Sequence, residues 1–179
     1  CNQGLHGTSD SPNGAKINFY AGEIYNCLLG IGTYNNVTMT GGTIRNCQQG
    51  VHLNACYRDI VCDITGGTIK DNESYGVVGL AEWGSAHKVT LTVTKANVFG
   101  NGYGVGLTGS VTANSSLKLD NGTNIHNNTH VGTFVESGSM NVGATAYVDI
   151  VNNGERGAVV NNVHSTGTFN KATITGNGN

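Results

Sequence analysis

The chain has 179 residues, among them 28 Gly, one Pro, 24 Asn and 20 Thr, and only 11% of it is charged against the quarter usual in globular proteins. That composition is poor in the residues that build helices, and its regularly spaced aliphatics argue against disorder. A net charge of -2 with no basic run points away from nucleic acid, and no apolar run approaches a membrane span.

Residues 1–15 carry no repeat, and Asp10-Ser11-Pro12-Asn13-Gly14 reads as a turn, so this segment is expected to be an N-terminal cap or lead-in. From residue 16 the chain repeats. Thr40-Gly41-Gly42-Thr43-Ile44-Arg45-Asn46-Cys47 returns as Thr65-Gly66-Gly67-Thr68-Ile69-Lys70-Asp71-Asn72, with weaker copies on either side. Taking Ile24, Ile44, Ile69, Val98, Ile125, Ile150 and Ile174 as register marks, successive gaps are 20, 25, 29, 27, 25 and 24 residues. Each unit has a short alternating strand, the register aliphatic, an Asn-rich turn, a glycine-led second strand and a loop of variable length. Helix-bearing repeats do not fit the composition, and propeller blades need a period of about 40 residues or more. The pattern predicts an all-β, right-handed parallel β-helix (a β-solenoid) of about seven coils over 16–179, about 30 Å long at roughly 4.8 Å per coil. The chain begins without Met and stops one turn into a repeat, which reads as a piece of a longer protein.

The position three after each register mark is Cys27, Cys47, Asn72, Asn101, Asn128, Asn153 and Asn177. Stacked in successive coils, such side chains would form a ladder of amide hydrogen bonds. Cys27 and Cys47 would then lie one coil apart, within reach of a disulfide, and Cys56 with Cys62 could close a short loop. Reduced, buried thiols acting as apolar fillers are the competing reading. No CxxC pair or histidine spacing supports zinc, and the calcium-binding nonapeptide is absent, so no metal or other cofactor is expected.

Val37-Thr38-Met39-Thr40-Gly41-Gly42-Thr43-Ile44-Arg45-Asn46 resembles the β-helix repeats of bacterial cell-surface, adhesin-like proteins, and Gly167–Asn177 is a degenerate copy. A looser resemblance is to the polymorphic outer-membrane proteins, with their GGA(I/L/V) and FxxN repeats. The resemblance implies an extracellular or cell-surface module used for adhesion, and it carries fold more firmly than function, since β-helices also host lyases, hydrolases and phage tailspikes.

Two variable loops are expected to leave the same corner of adjacent coils. One holds Tyr57, Arg58 and Asp59; the other holds Glu82, Trp83, His87 and Lys88. An aromatic face beside hydrogen-bonding groups suits a sugar ring, which makes a cell-surface or host glycan the expected partner. The competing reading folds the loop back and buries Trp83 as a plug. Asp59 and Glu82 are the one carboxylate pair that this register brings together for glycoside hydrolysis, and no polygalacturonase-type or pectate-lyase-type acid cluster occurs. A non-catalytic binding module is therefore the expectation, with a carbohydrate-active or tailspike domain as the alternative. Ice binding by a threonine array is a lesser one, since only three successive coils carry Thr at the position four before the register mark.

Overall fold

The computed structural model describes residues 1–8, 15–82, 86–110 and 114–178. Among these residues there is no helix. Three parallel sheets of seven strands each run the length of the molecule, and every coil contributes one strand to each sheet in turn. Sheet 1 runs from Gln3–Gly7 through Leu29–Thr33, Gln49–Asn54, Tyr75–Ala81, Tyr103–Gly109 and Val131–Val135 to Arg156–Val160. Sheet 2 runs from Lys16–Phe19 to Thr166–Phe169, and sheet 3 from Glu23–Tyr25 to Ala172–Thr175. The expected parallel β-helix is thus observed. Gln3–Gly7, within the lead-in segment, is itself the first strand of sheet 1.

The register aliphatics form one file. Ile24 pairs with Ile44, and the pairing continues through Ile69, Val98, Ile125, Ile150 and Ile174. The five from Ile44 to Ile150 are fully buried, and each contributes about 2 kcal/mol relative to leaving it in water. Further files line sheet 2, where Val37, Cys62, Leu91, Leu117 and Met140 succeed one another inward. The outward file of that sheet reads Thr38, Asp63, Thr92, Lys118, Asn141, Thr168, a mixed polar surface rather than a flat threonine array.

The ladder forms in the coils that carry asparagine. The Nδ2 groups of Asn72, Asn101, Asn128 and Asn153 donate to the Oδ1 of the next asparagine at 2.8, 3.0, 2.9 and 2.9 Å, ending on Asn177. The same oxygens accept the backbone N–H of the residue one coil below, as Asn101 Oδ1 does from Asn72 N at 3.1 Å. The residue before each of these positions (Asp71, Gly100, Asn127, Asn152, Gly176) holds φ between 53° and 67°. That left-handed turn is why these positions carry Asn, Asp or Gly. It aims the following side chain into the coil. On the adjoining strand of sheet 1 a column of glycines lets the coils close on the ladder: a Cβ on Gly76 would stand 2.7 Å from Gly104 O and 3.0 Å from Asn101 Nδ2.

The cysteine pairings differ from expectation. The disulfide joins Cys1 to Cys27, with Cα atoms 4.5 Å apart, while Cys47, Cys56 and Cys62 are free. Because Gln3 pairs with Leu29, the lead-in strand brings Cys1 to the ladder position one coil before Cys27, on the side opposite Cys47. Cys62 cannot reach Cys56: it points into the core file between Val37 and Leu91, where burial pushes its thiol up, whereas Cys56 sits in a half-exposed turn.

One buried carboxylate stands outside the repeat pattern. Asp120, 1% exposed, accepts from Asn121 N, Thr145 Oγ1, Thr145 N and Ala146 N at 2.8 to 3.2 Å and lies 3.2 Å from Lys118 Nζ, pinning the 143–147 turn. Burial pushes its pKa up, but the hydrogen bonds from Ala146, Thr145 and Asn121 outweigh that and hold the carboxyl well below the usual range.

These contacts set two stability expectations. Asn101→Ala strands two donors of Asn72 and should lower the unfolding free energy by about 3 kcal/mol in urea titration, whereas Thr92→Ala on the outer face should change it by about 0.5 kcal/mol or less. Asp120→Asn should cost about 2 kcal/mol at neutral pH. Because the folded pKa is depressed, that contribution is present above the unfolded carboxyl value of about 4 and is lost as pH falls below it, so wild type and variant should converge in acid.

Candidate functional site

The two variable loops do meet at one corner. Ala55 N donates to Leu80 O at 2.8 Å and Ile60 N to Lys88 O at 2.9 Å, joining the loop of one coil to that of the next. Asp59 accepts from Lys88 N at 3.1 Å and lies 3.5 Å from His87 Nδ1. Glu82 accepts from Asn54 Nδ2 at 3.0 Å. Tyr57 is exposed and tilts against Tyr34 with ring centroids 5.6 Å apart. A hydrogen bond with Cys56, and more weakly the nearby Glu82 carboxylate, push its phenol pKa up. Arg58 lies half-buried in the same turn, and Trp83 lies outside the described residues. At this corner both Asp59 and Glu82 spend hydrogen-bonding capacity on tying one loop to the next.

A second constellation, not anticipated from the sequence, lies on the outer face of sheet 1. Tyr75 and Tyr103 occupy the same strand position in successive coils, and their rings stand 5.2 Å apart. Phe134 sits over Gly106 and completes the cluster, 5.7 Å edge-on from Tyr103 and 6.0 Å from Tyr75. Val78 and Val131 form the apolar surroundings, and His130 packs 5.1 Å from Tyr103.

Gly106 makes this arrangement possible. Any Cβ there would collide with the Phe134 ring, so the absence of a side chain is what lets that ring lie flat against the sheet. The phenylalanine is consequently 7% exposed although it points away from the interior of the coil.

These rings border a cleft of about 210 Å³, also lined by Glu136, Glu155, Arg156, Val159 and Asn161. Glu155 Oε1 lies 2.8 Å from His130 Nδ1, and Glu136 accepts from Thr108 Oγ1. The Arg156 side chain has no hydrogen-bond or ion-pair partner among the described residues. Burial, then the neighbouring Tyr103 and the Glu136 carboxylate, raise the Tyr75 pKa, which keeps it a neutral hydrogen-bond donor at physiological pH.

The cleft therefore combines apolar ring faces with two carboxylates, an unpaired guanidinium and an amide. The signal for it lies in the register: the residue before each column glycine reads Leu29, Gln49, Tyr75, Tyr103, Val131, Arg156 in successive coils. Among the described residues no group of three or more His, Cys, Asp or Glu could hold a metal ion.

Gly106→Ala should displace Phe134, cost about 1–3 kcal/mol and open the aromatic cluster. Loss of the ring-current shifts that Tyr103 and Phe134 impose on each other would report the change, and shifts identical to wild type would show that the glycine is dispensable. No protein-family model, curated protein or solved structure matches this chain, so the functional reading rests on this geometry.

Proposed function

We propose that the chain is a non-catalytic carbohydrate-binding module of an extracellular or cell-surface protein, and that a sugar ring lies in the cleft over sheet 1. The observation that carries this is the Tyr75, Tyr103 and Phe134 cluster bordered by the unpaired Arg156 and by Glu136, Glu155 and Asn161. The apolar face of a pyranose stacks on aromatic rings, and its hydroxyls need donors and acceptors around the rim of such a platform. The corner formed by Tyr57, Asp59 and Glu82 has two rings among the described residues, Tyr57 and Tyr34, against the three that border the cleft, which makes it the weaker of the two surfaces. The Cys1–Cys27 disulfide supports an oxidising compartment. The resemblance of the Thr-Gly-Gly-Thr-Ile repeats to bacterial cell-surface proteins supports the same location and a scaffold role.

The carbohydrate-active alternative is favoured by one feature, the pair of carboxylates on the cleft, Glu136 and Glu155. Both already bond to the protein, Glu136 to Thr108 and Glu155 to His130.

Binding to a glycan array should be retained by wild type and weakened about tenfold or more by Tyr103→Ala, with Arg156→Ala reducing it as well. A reducing-end assay on the bound glycans should show no new ends. Absence of any glycan binding would overturn the reading. New reducing ends that disappear in Glu136→Gln or Glu155→Gln would replace it with the hydrolytic one.

A further inference from the structure

Cys1, Cys27 and Cys47 occupy one position in three successive coils. Leu28 N donates to Cys1 O at 2.9 Å and Gln48 N to Cys27 O at 3.0 Å; Leu29 N donates to Asn2 O at 2.9 Å and Gln49 N to Leu28 O at 3.0 Å. The step from Cys1 to Cys27 thus has the same backbone geometry as the step from Cys27 to Cys47. A disulfide closes the first step with Cα atoms 4.5 Å apart. The second step has the same spacing in the backbone ladder and carries a free, buried thiol. All three residues line a single open cleft. Beyond Cys47 the file changes to asparagine, and Asn72 Oδ1 accepts from Cys47 N.

We propose that these three cysteines form a thiol–disulfide exchange site in which the disulfide moves one coil along the file and delivers a free thiol at Cys1. The thiolate of Cys47 attacks Cys27 Sγ. The Cys27–Cys47 bond forms as the Cys1–Cys27 bond breaks, and the electron pair departs on the Cys1 sulfur, which takes up a proton. The proton released by Cys47 passes to water in the cleft. One disulfide and one thiol are present before and after, so no oxidant or reductant is required.

Cys47 and Cys1 stand on opposite sides of Cys27 in the file, so attack and departure can take opposite faces of its sulfur once the Cys47 thiol leaves Arg45 O, to which it donates at 3.4 Å. The groups facing the site are the carboxylates of Asp71 and Glu73, and the Cys1 nitrogen donates to Asn26 O at 2.7 Å. Cys1 is exposed, so its freed thiol is open to exchange with a disulfide-bearing partner. Cys62 is buried in the sheet 2 file and Cys56 lies at the loop corner; neither stands in this file.

The test is disulfide mapping by mass spectrometry of unreduced peptides. Wild-type protein is held without oxidant at about pH 8, quenched in acid and digested, then compared with a sample held at about pH 6, where thiolate is scarcer. Both Cys1–Cys27 and Cys27–Cys47 peptides are expected at about pH 8, in amounts within about tenfold of each other, with slower interconversion at the lower pH. Cys47→Ser should show Cys1–Cys27 alone. In Cys1→Ser, oxidised and reduced glutathione should drive Cys27–Cys47 to form. Wild type that keeps Cys1–Cys27 as its sole linkage, a Cys1→Ser chain whose two remaining file thiols stay reduced, or linkage through Cys56 or Cys62 would each overturn the proposal.

Discussion

Each coil takes its shape from the one before it, through backbone hydrogen bonds that run from the N–H of one residue to the carbonyl about 25 residues earlier or later. That vertical pairing fixes a register, and the register turns a loose sequence repeat into files of like residues. The interior is a consequence: an aliphatic side chain at one position of every coil is buried only because its neighbours in the file are there too. The amide ladder is another, since an Asn side chain inside a coil has no water to bond and must find its partners one step along the stack.

The outer faces inherit the same order without the same restriction. Sheet 2 presents a mixed polar file and sheet 3 pairs Arg45 with Glu23 and stacks Phe99 on His126, so their outward groups are largely satisfied by one another. Sheet 1 differs in the middle coils, where two tyrosines fall in one file and a phenylalanine falls beside them over a glycine. A parallel sheet places equivalent residues close enough for ring contact at every step. The cleft is therefore a product of register, and the guanidinium of Arg156 enters it because it continues the file that Tyr75 and Tyr103 occupy.

The fold is legible in the sequence because the features that define it recur: the register aliphatics, the asparagines three residues on, and the glycines that lead the strands of sheet 1. Features that occur once are not legible. Asp120 is a single acid whose partners, Thr145 and Ala146, are 25 and 26 residues away, and no spacing announces them. The repeat points Cys27 to the wrong neighbour because Gln3–Gly7 lacks the repeat's sequence marks, although it pairs with Leu29–Thr33 like any other coil. With that strand counted, Cys27 has a cysteine on either side. The loop corner is legible because loop positions follow from the register, but which of its groups are already engaged depends on side-chain geometry. The aromatic cleft escapes notice for the opposite reason: its residues lie in the repeat itself, at positions that read only as strand.

The ladder position also changes its chemistry along the stack. In the middle coils an Asn amide bonds to the coil on either side, so each member depends on both neighbours. The first coils carry cysteine there instead, and the bond between Cys1 and Cys27 joins covalently what amides join by hydrogen bonds elsewhere. Farther along the described file Asn177 accepts from Asn153. A covalent link resists fraying where a hydrogen-bonded one opens and closes with the backbone. The coil that holds Cys1 is thus fastened by a bond that can be exchanged but does not open by thermal motion alone, and the free thiol of Cys47 is placed one coil away from it.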